Sequence, residues 1–89
     1  MTKSDKIKTL ENIKKYIEFN LKSYSNKTIT AERETLARKY CKDHNIKFFI
    51  TDNCGANAMK IRNTPRTDPA LYLRCGYGRY NYAPTLILN

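Results

Sequence analysis

The sequence predicts an α+β fold, with two N-terminal helices packed on one face of a small antiparallel sheet of about four strands. Three observations carry this. Apolar residues recur every three to four positions through about His44, then every two positions from Ile46, and turn-forming clusters punctuate the second half. At 89 residues there is room for a single domain spanning 1–89. A chain of this size buries only about 60–65% of its unfolded surface, so the core is expected to be thin.

The first helix is expected from about Asp5 to Tyr24, with Ser4 as N-cap. Ile7, Leu10, Ile13, Ile17, Leu21 and Tyr24 fall on one arc at helical spacing. Lys8, Glu11, Lys15, Glu18 and Lys22 alternate in sign on the opposite face, where they support their own helix in water. Phe19 projects from that polar face and is the one residue the amphipathic pattern leaves unexplained.

The polar run 25–28 breaks the pattern, and Thr30 is expected to cap a second helix running to about His44. Glu32 and Glu34 would then occupy its first turn, where the helix dipole favours acid. Leu36, Ala37, Tyr40, Cys41 and His44 make the apolar face, Arg38, Lys39 and Lys42 point outward, and Asn45 stops the helix.

Strands are expected at Ile46–Thr51, Ala58–Arg62, Leu71–Cys75 and Tyr80–Leu88, arranged as two hairpins or a meander. Pro84 suggests an edge position or a bulge in the last of these. Alternation places Ile46, Phe48, Ile50, Met59, Ile61, Leu71, Leu73, Leu86 and Leu88 on an inner face against the helices. The other face collects Lys47, Phe49, Thr51, Lys60, Arg62, Tyr72 and Arg74, and is expected to be open, basic and aromatic.

The charge excludes some functions. Seventeen Lys+Arg against eight Asp+Glu give a net charge of +9, which rules out an acidic mimic of DNA and favours an anionic partner. The charge is unevenly distributed. Through Lys47, twelve bases and six acids balance to +6, much of it alternating on helix faces. From Phe48 onward, five bases and two acids leave +3, and four of those five bases are arginine. Arginine interleaved with aromatics suits contact, because guanidinium pairs with phosphate and rings stack on unpaired bases.

No apolar run is long enough to span a membrane, and the amino terminus leads into alternating Lys and Ile rather than a continuous apolar stretch. With three cysteines and no leader expected, free thiols in a reducing cytoplasm are the default. Abundant Lys, Asn, Ile and Tyr, with no Val, Trp or Gln, fit an AT-rich genome such as that of a low-GC bacterium or its phage.

Metal and catalytic chemistry find little support. Cys41-x2-His44, Cys54 and Cys75 supply four ligand types suited to zinc, but their spacing matches no finger pattern, so no metal or other cofactor is expected. A single histidine and the absence of a nucleophile–base pattern or a phosphate-cradling glycine loop argue against an enzyme. Asp43 and Asp52 beside His44 are too few carboxylates for a metal-dependent nuclease. The second helix is not expected to read a major groove, because the segment after Asn45 is strand-like.

The expectation is a non-enzymatic basic module that contacts an RNA or DNA backbone, or a ribonucleoprotein, through its Arg/Tyr-rich sheet face. The candidate contact residues are Lys47, Phe49, Lys60, Arg62, Arg66, Tyr72, Arg74, Tyr77, Arg79 and Tyr80. The alternative is a phage-type inhibitor, host-takeover or anti-defence and anti-CRISPR-like, that binds an acidic host protein in the host cell cytoplasm. Tyr and Arg serve protein interfaces equally well. An exposed sheet edge and seven tyrosines also leave room for a homodimer.

Overall fold

The computed structural model describes residues 2–22, 26–52, 60–63, 69–73 and 84–89. Two helices, α1 (Lys3–Asn20) and α2 (Asn26–Asp43), precede four short strands: β1 (Phe48–Asp52), β2 (Lys60–Asn63), β3 (Pro69–Tyr72) and β4 (Pro84–Leu88). By fold this is a two-layer α+β protein.

Helix α1 starts two residues earlier than Ser4 would have set it. Thr2 is the N-cap, and its Oγ1 accepts the Asp5 N–H at 3.1 Å. The helix ends at Asn20, whose side-chain amide donates to the Tyr16 carbonyl at 2.8 Å, and Leu21 is already extended. Leu10, Ile13 and Ile17 are fully buried, Ile7 and Leu21 half-buried. The alternating charges are exposed as expected, and so is Phe19, at 87%.

Helix α2 begins one turn before Thr30, so Thr30 lies inside the helix and is buried, and no acid occupies the first turn. Glu32 has a different job. Its carboxylate accepts the Lys22 N–H, tying the chain beyond α1 to α2. Ala37 and Cys41 are buried, with Leu36 and Tyr40 packed beside them. Tyr40 meets Tyr16 of α1 across a tilted 5.4 Å ring contact. His44, expected on the apolar face, is exposed; it lies beyond the last helical residue, stacked on the Tyr40 ring at 4.0 Å.

The sheet order is β1-β4-β3-β2, antiparallel throughout. This corrects the expected pairing of β1 with β2, since those strands occupy opposite edges. Crossing from one edge to the other takes about 14 Å at roughly 4.8 Å per strand. The seven residues between Asp52 and Lys60 are ample for that. Joining β1 to β4 also extends the inner apolar face without a break: Phe48 lies opposite Leu88, Ile50 opposite Leu86, and Leu86 opposite Leu71, itself opposite Ile61.

Pro84 is neither at an edge nor in a bulge. It opens β4, a central strand, where its carbonyl accepts the Leu73 N–H at 2.9 Å. Pro69 opens the other central strand in the same way, at the position where a missing N–H costs least.

Helix α1 packs over β3 and β2, and α2 over β4. Leu71, Leu73, Leu86 and Leu88 close the core with the helix residues, and Ile46, Phe48, Ile50 and Ile61 pack at its margin. Met59 lies outside the described residues.

Candidate binding face of the sheet

The face turned away from the helices is organised by register into two cross-strand rows. One runs Phe49, Ile87, Ala70, Arg62 and the other Thr51, Thr85, Tyr72, Lys60. Five residues expected on this face (Phe49, Thr51, Lys60, Arg62 and Tyr72) are thus aligned by backbone pairing, with Arg62 and Lys60 on the β2 edge. Lys47 joins them by alternation, and the ladder continues through it: the Asn89 N–H donates to the Lys47 carbonyl at 3.1 Å.

The face is only partly open. Ala70 and Thr85 are fully buried and Tyr72 is 8% exposed, which corrects the expectation of an accessible Tyr72. All three sit on β3 and β4, flanked by a strand on each side, and two of them have short side chains. Among the side chains described on this face, the accessible ones lie on the β1 side, where Lys47 is exposed, Phe49 is 45% exposed and Ile87 half-buried beside it. Ile87 was not singled out by sequence, although its alternation with Leu86 and Leu88 carried the information. Arg66, Arg74, Tyr77, Arg79 and Tyr80 lie outside the described residues, and Lys60 and Arg62 are described through their backbone alone.

Basic residues also line the far side of the first layer. Arg38, Lys39 and Lys42 are exposed on α2. Arg38 donates to Glu34 at 3.0 Å and holds its guanidinium 5.9 Å from the Phe48 ring centroid. The guanidinium thereby spans from α2 to β1. A groove of about 420 Å³ lies between α1 and β2, lined by Glu11, Lys14, Lys15, Glu18 and Ile61. Its two acids cancel its two bases, so it offers no net attraction to phosphate.

The potential metal ligands are held apart in environment. The Cys41 side chain is fully buried, and burial pushes its thiol from 9.0 up to about 11, away from the thiolate that binds metal or attacks substrate. His44 is exposed, with Nδ1 3.0 Å from the Tyr40 carbonyl oxygen. Cys54 and Cys75 lie outside the described residues. Among the described residues, no three His, Cys, Asp or Glu side chains cluster as a metal site would require.

No family model, curated protein or solved structure matches this chain. Among the described residues, no helix is long and apolar enough to cross a membrane.

Proposed function

We propose that the protein is a non-enzymatic basic module that holds nucleic acid, free or within a ribonucleoprotein, on the β1 side of its outer sheet face. The observation that supports this best is the exposed Phe49 ring, flanked by exposed Lys47 and standing in the row that ends at Arg62. An aromatic ring held on a rigid strand offers any unpaired base a stacking surface worth about 1–3 kcal/mol. Cations beside it neutralise the flanking phosphates. Because Tyr72 is buried, stacking on this face rests on Phe49 within the described residues.

The test is titration of labelled single-stranded RNA, single-stranded DNA and duplex DNA at two salt concentrations. Single strands are expected to bind more tightly than duplex, with affinity falling steeply as salt rises. Phe49→Ala should weaken single-strand binding by roughly 5- to 100-fold with little change in the salt slope. Lys47→Glu should lower both affinity and slope. If no probe binds more tightly than about 10 µM at low salt, the reading fails, since even non-specific binding is visible there.

The second reading, an inhibitor that binds a host protein, is favoured by a different feature, the outer edge of β1. A partner captured from host lysate that survives nuclease treatment and is lost with a β1 variant would support it over the first.

A further inference from the structure

The hydrogen-bond parity of β1 follows from one contact. Lys47 lies opposite Asn89 and accepts its N–H, so that pair is a hydrogen-bonded one. Alternation then makes Phe49–Ile87 and Thr51–Thr85 hydrogen-bonded pairs as well. Phe48, Ile50 and Asp52 fall on the other phase and direct their N–H and C=O groups away from β4. Pro84, with no N–H to give, stands opposite Asp52 on that same phase, as the pattern requires. The outer edge of β1 therefore presents the backbone donors and acceptors of Phe48 and Ile50 in strand spacing. Among the described residues, no strand pairs with them.

The surroundings of this edge are selective. Arg38 reaches from α2 to the Phe48 ring, Lys42 stands one turn further along the same side of α2, and Lys39 and Lys47 are exposed nearby in sequence. Residues 34–47 carry these four cations against Glu34 and Asp43, and Arg38 is the one that a contact places at the strand, while Asp52 closes its far end. A second copy of the chain would bring its own net charge of +9, which opposes self-pairing. An anionic strand meets the opposite situation.

We propose that the outer edge of β1 accepts an extended acidic peptide segment as an added strand, paired through Phe48 and Ile50. Main-chain hydrogen bonds supply affinity that is indifferent to sequence, and the cations supply the preference for acid. The exposed Phe49 ring gives the added strand an apolar neighbour on the outer face. This interaction goes beyond nucleic-acid binding and uses backbone groups that a bound nucleic acid on the outer face leaves untouched.

The experiment uses the full chain and two labelled peptides of about eight residues, one alternating glutamate with valine and one alternating lysine with valine. The glutamate peptide should bind at least about tenfold more tightly than the lysine peptide, and Lys42→Glu should narrow the difference. Amide exchange read by NMR supplies the sharper readout. In the free protein the Phe49 and Thr51 amides, which face β4, should be protected, and those of Phe48 and Ile50 should exchange faster. Adding the glutamate peptide should slow exchange at Phe48 and Ile50 by at least about tenfold, and adding single-stranded RNA should not. Equal binding of the two peptides, or unchanged exchange at Phe48 and Ile50, overturns the proposal. So does protection at those two amides that grows with protein concentration alone, because the occupant is then a second copy. Failure of every nucleic-acid probe leaves this result intact, so the two readings are separable.

Discussion

Ile46 donates its backbone N–H to the carbonyl of Cys41 at 2.8 Å, closing a loop over Asn45, which sits at φ 56°. With the 3.3 Å bond from Asn45 N–H to the Lys42 carbonyl, this is a Schellman ending, and it turns α2 directly into β1. Ile46 lands against the core beside buried Cys41, so the turn also sets which face of β1 is inward. Left-handed backbone costs a β-branched residue about 1–2 kcal/mol. Asn45→Val should destabilise the protein by that amount, and Asn45→Gly should be neutral or slightly stabilising. Urea unfolding midpoints of the two variants check both.

Burial holds the Cys41 thiol protonated up to about 11, against 9.0 in a free chain. The unfolded chain therefore releases this proton first as pH rises. Stability from keeping the thiol neutral is complete below about pH 9 and is lost as pH climbs through 11. Lysine and tyrosine titrate over the same range, so the measurement is a difference. Stability of the wild type should fall more steeply between pH 8 and pH 10.5 than that of Cys41→Ala. A parallel check replaces Cys54 and Cys75 by serine; Cys41 should then resist a thiol reagent until denaturant is added.

Leu86 lies opposite both Ile50 and Leu71 and is fully buried. Leu86→Ala should cost about 2–5 kcal/mol, the range for opening a cavity in a packed core. Phe19, 87% exposed on α1, is the contrast. Phe19→Ser should change stability by no more than about 0.5 kcal/mol. Thermal or chemical denaturation of the pair measures whether the core sits where the strand register places it.

The Arg38–Glu34 ion pair is half open to solvent on the arginine side. A double-mutant cycle with Arg38→Ala and Glu34→Ala should give a coupling of about 0–1 kcal/mol that shrinks in high salt. Arg38→Ala alone should cost more than Arg38→Lys if the contact with Phe48 contributes, because the planar guanidinium covers more ring than an ammonium does.

Periodicity made the two-layer arrangement legible. Leu10, Ile13 and Ile17 at helical spacing, and Leu71, Leu73, Leu86 and Leu88 at strand spacing, form the core in which they were expected. Element ends were less legible. The polar run 25–28 concealed the start of α2, although Ile29, seven residues before Leu36, lies on the helix face that leads into the core. His44 shared the spacing of Tyr40 and Cys41 but stands past the point where Asn45 leaves the helix, so its ring turns to solvent. Of the contact residues, Lys47 and Phe49 are exposed as alternation implied, and Tyr72 is not.

What the sequence by itself determined is which side chains share a face, because that depends only on local backbone repeat, 3.6 residues in helices and two in strands. Partner choice among strands is not local. The pairing of β1 with β4, and with it the positions of the two sheet edges, depended on how four apolar faces join into one surface beneath two helices. The same assembly left Phe49 on an outer strand with its ring exposed and closed Tyr72 and Thr85 away on inner ones, a difference that residue type and alternation alone do not contain.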